Sequence, residues 1–211
     1  NLTLINKLCD DLKKINYQGA FSICGYGEPL LHKNLIEIVD KLGEIGGVEI
    51  VTNGDPLKID LLKKIFYSKT SKLIISMYDG EHQIDYFEKM ITDAEIDKDF
   101  VVLRNRWHDA DDDFGVKLTN RVGNVKIGNQ PEIKIARGCY YTSYQTLIDW
   151  NGNMYLCPQD WDRRLPVGNI MLHEFFEVWN GVILNKYRKK HLSNLRDIAP
   201  CNKCNTDEIG R

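Results

Sequence analysis

The sequence predicts an α/β protein: a parallel sheet of alternating strands and helices, followed by a small C-terminal domain made of a β-hairpin and a helix. Three observations lead there. Up to Leu103, short apolar runs alternate with segments whose apolar residues recur at helical spacing, the pattern of βαβ units. Residues such as Gly, Asn and Pro follow the strand segments on their C-terminal side. Beyond residue 137, four cysteines stand in two separated pairs, and the first pair encloses a hairpin signal.

The elements follow in order. Leu4, Ile5, Leu8, Cys9, Leu12 and Ile15 predict an amphipathic helix over residues 2–16, with Cys9 packed in the core. Residues 21–24 form a short buried strand. Leu35, Ile38, Val39, Leu42 and Ile45 mark a second helix, closed by Gly46-Gly47 as a left-handed cap. A strand over 48–51, a helix carrying Leu61, Leu62, Ile65 and Phe66, and a strand over 73–76 come next. Ile84, Phe87, Met90, Ile91 and Ala94 give a fourth helix, and 101–103 a fourth strand. Right-handed crossovers between such strands make the sheet parallel.

The pattern thins between 105 and 137, where Asn120-Arg121-Val122-Gly123-Asn124 reads as a turn between strands and Arg121 or Arg137 is a candidate substrate contact. Residues 146–148 and 154–156 then pair across Asn151-Gly152-Asn153, because Asn-Gly between apolar runs favours positive φ angles. An amphipathic helix containing Phe176 and Trp179 follows, with Lys186-Tyr-Arg-Lys-Lys190 as a wet face rather than a nucleic-acid patch.

In parallel sheets, ligands sit at the carboxyl ends of the strands. Gly25-Tyr26-Gly27-Glu28-Pro29 follows the first strand and Thr52-Asn53-Gly54 the second; Ser76-Met77-Tyr78-Asp79 ends the third and Arg104-Asn105-Arg106 the fourth. Each alone reads as an ordinary turn. Four polar strand ends on one rim point to a ligand site.

The cysteines point to a second site. Cys139 and Cys157 are joined by the hairpin, and Cys201-x2-Cys204 lies near the C-terminus. Four thiolates suit a tetrahedral zinc ion or a 4Fe–4S cubane, and spacing alone leans to neither. Buried free thiols or a disulfide are the bland alternative.

Composition narrows the partners. The chain has 211 residues, 43% hydrophobic, with a net charge of −2. Its near-neutral balance gives no electrostatic footprint for nucleic acid. No apolar run spans a bilayer and no charged-then-apolar leader opens the chain, so a reducing cytoplasm is the expected home.

Other residues carry weaker signals. Cys24 reads as a small buried strand residue, with a place facing the ligand rim as the alternative. His108 with Asp109, Asp111, Asp112 and Asp113 reads as a solvated acidic loop before a cation site. His32 helps cap the helix it precedes. Tyr140, Tyr141, Tyr144, Trp150, Tyr155 and Trp161 mostly shield the cysteine site from solvent.

Together these residues resemble the radical SAM superfamily. Gly25-Tyr-Gly-Glu-Pro-Leu-Leu-His32, followed by a helix and Val51-Thr-Asn-Gly54, resembles the segment that meets the methionine end of S-adenosylmethionine (SAM). Cys139-x12-Gly152-x4-Cys157, continuing through Val167-Gly168-Asn169-Ile170 to Cys201-x2-Cys204, resembles the SPASM or twitch extension. The resemblance implies a partial (β/α)6-type radical SAM barrel over 1–107, a connector over 108–137, and an auxiliary-cluster domain over 138–211. It implies that Gly25, Tyr26, Gly27, Glu28, Pro29, Asn53, Ser76 and Arg104 bind SAM, and that Cys139, Cys157, Cys201 and Cys204 hold one auxiliary 4Fe–4S cluster.

Two departures shape the expectation. Position 210, where a longer SPASM domain would carry a further cysteine, is Gly210, which favours the one-cluster twitch type. The Cys-x3-Cys-x2-Cys signature of the radical-generating cluster is absent, and the second 4Fe–4S cluster is expected on residues upstream of this chain. The implied activity is hydrogen abstraction by a 5′-deoxyadenosyl radical and oxidation of a small-molecule sugar or aminocyclitol, with a flavodoxin- or ferredoxin-type electron donor. A peptide-modifying maturase and a non-catalytic iron–sulfur or zinc module are the alternatives.

Overall fold

The computed structural model describes residues 1–107, 119–125, 135 and 137–206. The acidic run from His108 to Asp113 and most of the expected connector lie outside them. The chain divides into two compact units, Leu2–Val116 and Lys117–Arg211.

In the first unit, helix α1 (Leu2–Lys14) is followed by strand β1 (Ala20–Ile23), α2 (Leu35–Leu42), β2 (Gly47–Thr52), α3 (Ile59–Phe66), β3 (Lys72–Met77), α4 (His82–Asp93) and β4 (Val101–Asn105). The four strands are parallel in the order β1-β2-β3-β4. Consecutive order with right-handed crossovers puts the connecting helices on one face, the singly wound arrangement of a barrel wall. Burial agrees: Val48, Ile50 and Thr52 of β2 are buried while Glu49, on the opposite face, is exposed. Ile50, Leu73 and Ile75 form the centre of this core with Leu62 and Ile65 of α3 and Val39 of α2. In α1, Leu4, Leu8, Cys9 and Leu12 face inward, and the helix packs against α2.

One cap differs from expectation. Helix α2 ends at Gly43 in right-handed geometry, and neither Gly46 nor Gly47 has a positive φ. Gly46 is instead required by close approach, since a Cβ there would lie 2.1 Å from the carbonyl oxygen of Gly19. His32 acts as expected: its Nδ1 accepts from the Asn34 amide at 3.1 Å, one turn ahead of α2.

The second unit holds α5 (Tyr141–Tyr144), an antiparallel sheet of β5 (Leu147–Ile148), β6 (Asn153–Tyr155) and β7 (Pro166–Asn169), then α6 (Phe175–Trp179) and α7 (Val182–Leu192). The expected hairpin is present, with Gly152 at φ +82° in its turn. Asp149 fixes that turn. Its Oδ1 accepts from the amides of Asn151 and Asn153, and its Oδ2 from the Asn153 side chain and the Tyr155 hydroxyl, all within 3.1 Å. Burial works against its charge, but these donors outweigh it and hold the Asp149 carboxyl below the usual range. The helix expected around Phe176 ends at Asn180-Gly181, and α7 follows it. Met154, Leu156, Ile170 and Leu184 form the core beneath.

Candidate functional site

Strand register brings the expected ligand residues of the first unit to one rim. Ile23 pairs with Ile50, Thr52 with Ile75 and Ser76 with Arg104, so Gly25–Pro29, Asn53, Ser76 and Arg104 all fall at or just past the carboxyl ends. By strand alternation Cys24, Val51, Ile74, Ser76, Val102 and Arg104 share the face opposite the helices. Cys24 is exposed on that face, 3.6 Å from the Ser22 hydroxyl, which corrects its reading as a buried residue. At an edge of the described sheet, the alternation that half-buries Ile23 leaves its neighbour open.

The rim residues divide by what already holds them. Glu28 is fully engaged: Oε1 accepts from the Thr52 hydroxyl at 2.6 Å and the Leu30 amide at 2.9 Å, and Oε2 from the Asn53 amide at 3.0 Å. Its carboxylate therefore ties the glycine loop to the end of β2. The Asn53 side chain closes on Asp55, through Nδ2 to Oδ2 at 2.7 Å and Oδ1 from the Asp55 amide at 3.0 Å. Gly25 has φ +127°, and a Cβ on Gly25 or Gly27 would meet nothing within 4 Å, so the loop backbone borders open space. Tyr26 is exposed and Ser76 buried. Arg104 is half-buried, and among the described residues no hydrogen bond or ion pair engages its guanidinium. The open backbone after β1 and the uncommitted guanidinium on β4 are groups of one rim that suit a ligand carrying both an amino group and a carboxylate, as the methionine end of SAM does.

In the second unit the four cysteines gather. Cys201 lies within electrostatic reach of Cys157, Cys204 and Cys139, and Cys157 within reach of Cys204 and Cys139. None is in a disulfide. Backbone amides two residues on serve three of the sulfurs: Tyr141 to Cys139, Gln159 to Cys157, and Thr206 to Cys204 at 3.4 Å. Burial pushes the Cys157 thiol up to about 12 and also raises Cys139 and Cys201, with nearby thiols adding to the rise. Metal uptake by such thiols must release their protons.

The comparisons with known proteins match both units. Residues 139–205 match the SPASM family, an iron–sulfur cluster-binding domain. The chain is 27% identical, over 98% of its own length and 80% of the relative's, to the S-adenosyl-L-methionine-dependent 2-deoxy-scyllo-inosamine dehydrogenase of Niallia circulans. Residues 139–205 thus carry a SPASM-type segment, in a chain similar along its length to that dehydrogenase. Two crystal structures share the fold of this chain. BtrN in complex with AdoMet and 2-DOIA matches with TM-score 0.82 and 24% identity, over 99% of this chain and 81% of that one. Selenomethionine BtrN in an open conformation matches with TM-score 0.73 and 22% identity over the same shares.

The donor set fits an iron–sulfur cluster: four gathered thiols can give one thiolate to each iron of a 4Fe–4S cubane, and the same four could also surround a tetrahedral zinc ion. Two buried polar atoms near these segments, Arg196 Nε and Thr206 Oγ1, have no hydrogen-bond partner among the described residues and are donors a bound cluster could engage.

Several residues of the site carried no sequence signal. Gly138 is clamped, its amide donating to Asn194 Oδ1 at 3.0 Å and its carbonyl accepting from Arg196 at 2.8 Å. A Cβ on it would lie 1.9 Å from the His191 carbonyl oxygen. His191 is buried, with Nδ1 3.2 Å from the Thr142 hydroxyl. Of the six aromatics expected to shield the sulfurs, Tyr141 and Tyr155 are buried, whereas Tyr140, Tyr144, Trp150 and Trp161 are exposed. Trp161 and Trp150 instead stack beneath the guanidinium groups of Arg121 and Arg163, at 4.5 and 4.8 Å. Arg121 also donates to Gln159 Oε1 at 3.1 Å within its turn, where Val122 and Gly123 have positive φ.

Proposed function

We propose that this protein is a radical SAM dehydrogenase that oxidises an alcohol carbon of a small polar substrate, an aminocyclitol or sugar. The observation that carries this reading is the gathered four-cysteine site of a SPASM-type segment, in a chain that aligns over 98% of its length with a SAM-dependent dehydrogenase of such a substrate.

When bound, SAM supplies a 5′-deoxyadenosyl radical that takes a hydrogen atom from the substrate carbon. A base of the protein would take the hydroxyl proton, and a cluster held by the four cysteines would supply an acceptor for the remaining electron, which leaves a ketone. In this scheme Arg104 pairs with the SAM carboxylate through its uncommitted guanidinium, and the open backbone of Gly25, Tyr26 and Gly27 receives the amino group. Glu28 and Pro29 position that loop, Glu28 through Thr52 and the Asn53 amide. Ser76 and Asn53 border the same rim. Cys139, Cys157, Cys201 and Cys204 hold the auxiliary 4Fe–4S cluster.

Radical generation requires a further cluster on a Cys-x3-Cys-x2-Cys segment, which these 211 residues do not contain. The proposal therefore concerns a chain that carries such a segment ahead of Asn1. A flavodoxin- or ferredoxin-type donor in the reducing cytoplasm supplies the electron that cleaves SAM.

The test is to incubate that protein, reconstituted without oxygen, with SAM, reduced flavodoxin and 2-deoxy-scyllo-inosamine. Equal amounts of 5′-deoxyadenosine and ketone are expected. Formation of 5′-deoxyadenosine only when a peptide is added would replace this reading with that of a maturase.

A further inference from the structure

Arg196 is fastened to two of the three cysteine-bearing segments of the second unit. Its Nη2 donates to the carbonyl of Gly138, the residue before Cys139, at 2.8 Å. Its Nη1 donates to the carbonyl of Thr206, two residues past Cys204, at 2.7 Å. These bonds hold the guanidinium but do not neutralise it. Among the described residues, Nε is buried with no hydrogen-bond partner and no carboxylate forms an ion pair with Arg196.

A guanidinium stays charged at every accessible pH, so this cation needs a counter-charge from something else. It lies within electrostatic reach of Cys139 and Cys201. Four thiolates carrying an iron–sulfur cluster are net anionic, and reduction makes them more so.

We propose that Arg196 is the electrostatic partner of the four-cysteine cluster and raises its reduction potential. The charge and the Nε–H stabilise the reduced, more anionic state more than the oxidised one, while the two carbonyl bonds keep the guanidinium from turning away. The Thr206 hydroxyl, buried without a partner beside the amide that serves Cys204, adds a second donor of the same kind. Arg196 is thus a positioning residue that makes the site a readier electron acceptor. The inference rests on the iron–sulfur reading given above.

The experiment is a redox titration, followed by electron paramagnetic resonance, of the whole chain loaded with iron and sulfide. Arg196→Gln should move the midpoint to more negative potential. Arg196→Lys, which keeps the charge but bridges the two carbonyls less well, should fall between Gln and wild type, and Thr206→Val should give a smaller negative shift. A loaded Arg196→Gln protein with the wild-type midpoint would overturn the proposal.

Should that variant take up no cluster, the wild-type chain labelled with [15N]arginine decides. Pulsed paramagnetic resonance of the reduced cluster should detect an arginine nitrogen coupling, and no coupling overturns the assignment. A wild-type chain that takes up no iron at all would instead bring down the iron–sulfur reading on which the inference stands.

Discussion

Both oxygens of Glu28 are bound to the protein's own backbone and to Thr52, while the guanidinium of Arg104, on the same rim, is bound to nothing described. The Gly-Glu-Pro run was legible as a loop that meets a ligand. That its glutamate works by pinning the loop to β2 depends on a neighbouring strand and was not legible. Sequence reasoning located the four cysteines because thiolate chemistry demands that residue type. It passed over Arg196, Gly138 and His191, whose roles arise from packing. His191 carries a prediction at this scale. Burial, reinforced by the Arg196 charge, lowers its proton affinity from the usual 6.5 to about 4. Between those values the unfolded chain binds a proton that the folded chain refuses, so stability present above 6.5 is lost as pH falls toward 4, by about 3 kcal/mol in all. Denaturant melts of the metal-free chain at pH 7 and pH 5 should show this loss, and His191→Gln should flatten it. An unchanged pH slope in the variant would place the effect elsewhere.

At the scale of elements, the helical and strand periods of the first unit place every strand within two residues of its expected bounds. The failed cap has a physical cause. Gly46 reads as a helix cap because glycine favours that role, yet the backbone of Gly19 approaches it too closely for any Cβ. The helix that carries Phe176 and Trp179 is short, ending at Asn180-Gly181, and the basic run Lys186–Lys190 lies on the helix after it. Gly138 shows how one such close approach serves the site. It ties Cys139 to the end of α7 through Asn194, Arg196 and the His191 carbonyl. Gly138→Ala must push that segment away from α7. Iron bound per chain should fall at least several-fold, measured after reconstitution, while the parallel sheet of the first unit keeps its circular-dichroism signal. Full iron retention would show that the clamp does not position Cys139.

Across the whole molecule, two units each present one of the sites that the sequence suggested. The singly wound order of β1 to β4 explains why the rim was readable, since all four strands run the same way and each ends in polar residues. The aromatic residues of the second unit were less readable, because side-chain type does not tell a core tyrosine from one at the surface. No helix among the described residues is long and apolar enough to cross a membrane. The metal decides the account, because an electron-accepting role requires iron and a structural module requires only zinc. The most direct test is to purify and reconstitute the chain without oxygen and to quantify iron, sulfide and zinc. About four iron and four sulfide per chain are expected, with loss of both when Cys139 or Cys204 becomes alanine. One zinc with no sulfide, bound by the same cysteines, would contradict the account.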